Sequence, residues 1–161
     1  MIHRVYIGAG SNLDNRLANL TFAADHLRDH LRFVQMSPIY ETAPWGYLEQ
    51  GPFLNQVFEG DTDLEPNDLL VFLKNIERSL GRTISFPNGP RLIDLDILFF
   101  DRLIIKTPEL EIPHPRISER AFELVPLSDL IPDFIHPVLN CSICDLLSKV
   151  DQHDIKLYEP E

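Results

Sequence analysis

The strongest constraint on this chain is the stretch at 89–100, Gly-Pro-Arg-Leu-Ile-Asp-Leu-Asp-Ile-Leu-Phe-Phe, where two carboxylates interrupt a run of branched and aromatic residues. Such a run predicts a buried or half-buried strand over 92–100. Residues i and i+2 of a strand share a face. Asp94 and Asp96 therefore project side by side, with Cα atoms roughly 7 Å apart. Two like charges at that spacing are unfavourable unless a cation sits between them. Hard oxygen ligands suit Mg²⁺, which commonly takes one or two carboxylates and completes its shell with water and phosphate. Arg91, just upstream and preceded by Gly89-Pro90, suggests a loop that brings a guanidinium to the same place. Taken alone, Asp-x-Asp is more often a solvated pair on an open sheet, so its meaning depends on the rest of the chain.

Composition narrows the function classes. A chain of 161 residues, 44% hydrophobic and 24% charged, predicts one globular domain over 1–161. A net charge of −11 argues against a nucleic-acid surface, which needs a basic patch for phosphates. No run approaches transmembrane length and the first residues lack a signal-peptide core, so a cytoplasmic protein without a membrane partner is expected. Cys141 and Cys144 form a lone C-x-x-C with only His136 and His153 nearby. Ile143, Leu146, Leu147 and Val150 repeat at helical spacing around them, which makes ordinary helix residues of both cysteines rather than zinc or redox ligands.

In order, 2–7 alternates as a strand and ends in Gly8-Ala9-Gly10-Ser11-Asn12. That stretch lacks the third glycine of G-x-G-x-x-G and the lysine of a P-loop, and predicts a strand-to-helix turn capped by Asn12 or Asp14. Leu17, Leu20, Ala24, Leu27 and Leu31 predict an amphipathic helix. Residues 33–42 predict a strand, with Pro38 marking an edge or start. After a loop at 43–52, residues 53–58 predict a strand that places Phe53, Asn55 and Val57 on one face. Asn55 there needs partners if buried, either a heterocycle or nearby backbone. A second helix starts near Pro66, buries Leu69, Phe72, Leu73, Ile76 and Leu80, and stops at Gly81. An irregular loop at 82–90 leads to the aspartate strand and a short strand at 103–105. His114 between two prolines is held on extended backbone. Ser118 is expected to cap a helix with Arg120 in its first turn, where a cation hints at an anion to be met. A last helix at 142–149 precedes an acidic tail expected to fray. This order predicts an α+β, ferredoxin-like split β-α-β fold: an antiparallel sheet with helices on one face, an open opposite face and extra C-terminal helices.

Paired carboxylates, loop arginines and aromatics on one face suit transfer of a polyphosphate group to a flat acceptor. The motifs IGAGSN at 7–12, YETAPWG at 40–46, FLNQV at 53–57, GPRLIDLDIL at 89–98, IPHPR at 112–116 and ERAFELVPL at 119–127 carry a closer likeness. In this order the chain resembles the 6-hydroxymethyl-7,8-dihydropterin pyrophosphokinase family over nearly its whole length. The resemblance implies transfer of pyrophosphate from ATP to the pterin hydroxymethyl group, release of AMP, two Mg²⁺ ions and a place in folate biosynthesis. It implies that Asp94 and Asp96 hold the metals, with Asp96 also orienting the attacking hydroxyl. Arg82 and Arg91 would stabilise the transition state. Arg120 and His114 would hold the nucleotide's phosphates, with Lys74 and Glu77 on the nucleotide side and Ile97 and Leu110 near adenine. Thr42, Ala43 and Asn55 would bond the pterin edges, Phe53 and Phe122 would sandwich its ring, and Trp45 and Gly46 would close over it. ATP and the pterin are the implied partners of a monomer.

One departure from the family pattern stands out. Residues 83–88, Thr-Ile-Ser-Phe-Pro-Asn, carry no charge where the family usually has basic residues, and often a tryptophan before Gly-Pro-Arg. A non-catalytic pterin or nucleotide binder is the alternative this loop supports. A metal-dependent phosphoesterase rests on the aspartate pair alone and wants a water-activating group that the sequence does not clearly offer.

Overall fold

The computed structural model describes residues 1–44, 49–81 and 92–160. Among them the order is β1 (His3–Ser11), α1 (Arg16–Leu27), β2 (Arg32–Met36), β3 (Tyr40–Thr42), β4 (Phe53–Thr62), α2 (Pro66–Ser79), β5 (Asp94–Phe100), β6 (Ile105–Lys106), β7 (Glu111–Ile112), α3 (Ala121–Leu130), α4 (Ile143–Leu147) and β8 (Ile155–Leu157). The main sheet runs β5-β1-β4-β3-β8, with β2 beside the far end of β4, and every pairing is antiparallel. This is the expected α+β, ferredoxin-like arrangement.

Alternation along β1 builds two cores. Val5, Ile7 and Ala9 point into the larger one with Leu20, Ala23 and Leu27 of α1 and Leu69, Leu73 and Ile76 of α2. Tyr6 points the other way, into a cluster with Leu98, Phe99, Ile117, Leu124, Leu127, Ile143 and Leu146. The C-terminal helices therefore cover part of the face expected to be open. What they leave uncovered lies where β1 carries glycine.

A bulge decides which β5 side chains share that face. Tyr6 pairs with Phe99 but Ile7 with Ile97, so Leu98 is the extra residue. Leu98 and Phe99 both enter the second cluster, and Phe100 swings back into the first.

Several local expectations change. Residues 8–11 continue β1 instead of turning, because Ser11 and Ala9 are buried on the helix side while the alternating glycines stay pairable across both neighbours. The α1 cap is Asn15, whose side chain accepts from the Ala18 N–H at 3.0 Å. Residues 33–42 form two strands separated around Pro38, which cannot donate to a ladder. The segment just before the acidic tail is tied down: β8 pairs with β3, and the Tyr158 N–H donates to Ile39 O at 2.9 Å. A tail strand lets the short β3 satisfy its outer edge. His136 is a turn holder, its Nδ1 accepting from the N–H groups of Val138 and Leu139.

Candidate active site

The site floor is two rows of three residues across β4, β1 and β5. Asn55, Gly10 and Asp94 are in register, and so are Val57, Gly8 and Asp96. The central strand contributes no side chain in either row. A Cβ on Gly10 would lie 2.9 Å from Asn55 Oδ1, and one on Gly8 would lie 3.1 Å from Glu123 Oε1. A Cβ at either glycine would make the overlying side chain shift, and without one the two leave a flat, slot-like floor.

Walls rise on two sides. Phe53 and Asn55 come from β4, and Thr42 and Ala43 from β3; Arg120, Phe122 and Glu123 come from the start of α3. Asn55, 6% exposed, is satisfied by protein: its Nδ2 donates to Thr42 Oγ1 at 2.7 Å. That bond leaves Asn55 Oδ1 directed over Gly10.

Arg120 is not in the first turn of a helix capped by Ser118. A 3-10 turn (Ile117–Glu119) intervenes, and Arg120 itself is the N-cap of α3. A cation there opposes the helix dipole. Carboxylates offset it: Nη1 is 3.5 Å from Asp96 Oδ2 and 3.6 Å from Glu123 Oε1. Burial and the neighbouring Asp94 charge push the Asp96 carboxyl well above the usual carboxylate range, against the opposing pull of Arg120 and Lys74. Burial does the same to Glu123, again with Arg120 opposing. Among the described residues Arg120 and Lys74 only partly offset the cost of ionising this cluster, and the donor set of Asp94 and Asp96 fits a hard divalent cation.

His114 donates its backbone N–H to Leu98 O at 3.1 Å, which fixes it against β5. Its Nδ1 accepts from the Arg116 N–H at 3.1 Å, so the ring proton belongs on Nε2. Burial and the charges of Arg120 and Arg116 lower its pKa to about 4, which keeps the ring neutral at physiological pH.

Other predicted residues lie beneath or beyond this slot. Glu77, 1% exposed on α2, accepts the Leu95 N–H at 2.9 Å and the Lys74 ammonium at 3.2 Å, tying down the outer edge of β5 next to the aspartates. Ile97 and Leu110 are buried in the helix-side core, facing away from Asp96. Arg82, Arg91, Trp45 and Gly46, and the uncharged 83–88 segment, lie outside the described residues. Glu123 and the two glycines were not anticipated. The available signals were a lone acid in the apolar run Ala-Phe-Glu-Leu-Val-Pro-Leu and glycines at strand spacing.

Known proteins share this sequence and this fold. Residues 6–132 match the family model of 7,8-dihydro-6-hydroxymethylpterin-pyrophosphokinase. The chain is 47% identical, over 84% of its length, to the folic acid synthesis protein FOL1 of Dictyostelium discoideum, of which it spans only 21%. It is 37% identical to a 2-amino-4-hydroxy-6-hydroxymethyldihydropteridine pyrophosphokinase of Methylorubrum extorquens, with 97% of this chain and 99% of that protein aligned. A Plasmodium falciparum HPPK-DHPS crystal structure with pteroate superposes on 92% of the chain and 42% of its own, with a TM-score of 0.75 at 19% identity, which shows the fold. On this evidence the chain belongs to the 7,8-dihydro-6-hydroxymethylpterin-pyrophosphokinase family.

Proposed function

We propose that the protein transfers the terminal diphosphate of ATP to 6-hydroxymethyl-7,8-dihydropterin, giving AMP and the pterin diphosphate in folate biosynthesis, and that it depends on Mg²⁺. The observation that carries this reading is the juxtaposition of an aromatic, glycine-floored slot with an under-neutralised aspartate pair one strand away.

Asp94 and Asp96 would hold the Mg²⁺ ions, two by family likeness, which neutralise phosphate charge when bound. The remaining work falls to the chain. Phe53 and Phe122 sandwich the flat acceptor, while Asn55, Thr42 and the Ala43 backbone read its polar edge. The hydroxymethyl oxygen forms a bond to the β-phosphorus as the bond from that phosphorus to the α,β-bridging oxygen breaks, and the hydroxyl proton is released. His114 Nε2–H and Arg120 donate to phosphate oxygens; a neutral imidazole with its proton on Nε2 is in the right form to do so. Arg82 and Arg91 clamp the transferring group, and Trp45 and Gly46 close over the pterin. Lys74 and Glu77 support the nucleotide side at β5, Ile97 contributes there through strand backbone, and Leu110 packs behind it. No helix among the described residues is long and apolar enough to cross a membrane. We read the protein as a cytoplasmic monomer.

The test is AMP release from ATP and Mg²⁺ with and without the hydroxymethyl-dihydropterin. Pterin-dependent AMP is expected. Pterin-independent hydrolysis, or nucleotide binding without turnover, overturns the reading.

A further inference from the structure

Glu123 is the one buried ionisable group in the slot that the reaction above does not use. It occupies the third position of α3, where a glutamate commonly reaches back to the N-cap N–H. Here the Arg120 N–H is bonded to Ile117 O instead, and the Glu123 side chain lies over the floor at Gly8. Oε1 faces Arg120 Nη1 at 3.6 Å. Oε2 is shut off from water and has no hydrogen-bond partner among the described residues, although the side chain lines the slot and the residue is only 5% exposed. A buried carboxyl oxygen without a partner is costly, and a methionine would fill a similar space with no polar group to satisfy.

The strand register identifies what the Glu123 carboxyl would meet. Asn55 and Thr42 lie at the Gly10 row, and Glu123 lies over Gly8, in the row of Asp96. Those rows are ~7 Å apart along the strand. A flat acceptor read at one end by Asn55 presents its other end to Asp96 and Glu123, and that end must carry the reacting hydroxymethyl group. We infer that the Glu123 carboxyl, whose Oε1 lies over Gly8, is the hydrogen-bond partner of the substrate's hydroxymethyl O–H, so that Glu123 orients that oxygen and selects for acceptors that bear it. The inference rests on the pterin reading of the slot and adds a specificity-determining contact to it. The same carboxyl faces Arg120 Nη1 at 3.6 Å, and its bond to the hydroxyl hydrogen leaves a lone pair of the hydroxyl oxygen open toward the phosphorus.

The test compares 6-hydroxymethylpterin with 6-methylpterin, which lacks only the hydroxyl, by fluorescence titration with Mg²⁺ and a non-hydrolysable ATP analogue present. Wild type, Glu123→Met, Glu123→Gln and Phe53→Ala are each titrated with both compounds. The expected result is that Glu123→Met loses about tenfold in affinity for the hydroxymethyl compound and keeps its affinity for the methyl compound, so discrimination collapses. Glu123→Gln, which can still form one neutral hydrogen bond, should fall between, and Phe53→Ala should weaken both compounds alike. Ligand-free melting of both Glu123 variants should match or exceed wild type, because an uncompensated carboxylate has been removed. Equal loss for both compounds, or undiminished discrimination in both Glu123 variants, overturns this assignment alone. Failure of the wild type to bind either compound overturns the pterin reading and this assignment with it.

Discussion

Two acidic clusters sit on one face of the same sheet, and their neighbours make opposite things of them. On β4, Phe53, Asn55, Val57, Glu59 and Asp61 form one continuous line, because a strand sends alternate residues to one face. At the far end β1 answers with large side chains. Arg4 bonds Asp61 at 2.6 Å and Glu59 at 2.8 Å, the Tyr6 hydroxyl donates to Glu59 at 2.9 Å, and Gln35 donates to Glu59 at 2.6 Å. Arg4 holds the Asp61 carboxyl below the usual range, and burial together with Glu59 holds the Tyr6 phenol above its own. At the near end β1 answers with Gly8 and Gly10, and the acids Asp94, Asp96 and Glu123 meet Arg120 as the principal described cation. The Asp96 and Glu123 carboxyls are pushed up, not down. The difference separates acids that the fold satisfies from acids it leaves for something else to satisfy.

The contrast breaks most visibly at Asp96. Asp96→Ala is expected to lower the rate of diphosphate transfer by at least about 10²–10³-fold. Metal-free thermal stability should not fall, since the substitution relieves like-charge repulsion. A variant with near-normal kcat, or a collapsed melt, would place Asp96 with the structural acids.

Filling the floor is the next largest effect. Gly10→Ala puts a methyl 2.9 Å from Asn55 Oδ1, which must move off its Thr42 bond. Pterin affinity should drop about tenfold while affinity for an ATP analogue stays within about twofold. Calorimetric titration with each ligand separates the two.

The far cluster should show the reverse pattern. Glu59→Ala leaves the Tyr6 hydroxyl and Arg4 short of a buried acceptor and should cost about 2 kcal/mol, or roughly 4–8 °C in Tm for a domain of this size. Its kcat and KM at a temperature where it is folded should match wild type. A loss of kcat would show that the two ends are coupled.

The smallest effect is a pH dependence near the same end. His3, buried against Phe100, bonds Asp101 at 2.6 Å, and that bond raises its pKa despite burial. A raised folded pKa means the stabilisation is complete below the unfolded value of about 6.5 and is lost as pH rises through the folded value. Denaturant titrations of wild type and His3→Gln should therefore diverge most at pH 5.5 and approach each other by pH 9. A constant difference would indicate packing alone.

Much of this was legible in the chain because it depends on local period. The i, i+2 aspartates, the apolar positions of α1 and α2, Pro66 at a helix start and Gly81 at φ +87° after its end follow from the spacing or conformational limits of single residues. Phe53 and Asn55 could be placed on one face from alternation, and the structure puts both on the slot. Local reasoning failed where partners are distant in sequence. Gly8 to Ser11 reads as a turn until β4 and β5 pair with it on either side. Glu123 reads as an ordinary helix-start acid until Gly8 is found beneath it.

By itself, then, the sequence determined the α+β class, the strand that carries the aspartates, the motifs that define the family and the identity of the aromatic and amide side chains. Tertiary structure alone decided which acids are neutralised and which are not, because that depends on the residue facing each one across a strand pair tens of positions away. Arg4 opposite Asp61 and Gly10 opposite Asn55 are both register facts. Register is set by the whole sheet packing on its helices, and no window of neighbouring residues contains it.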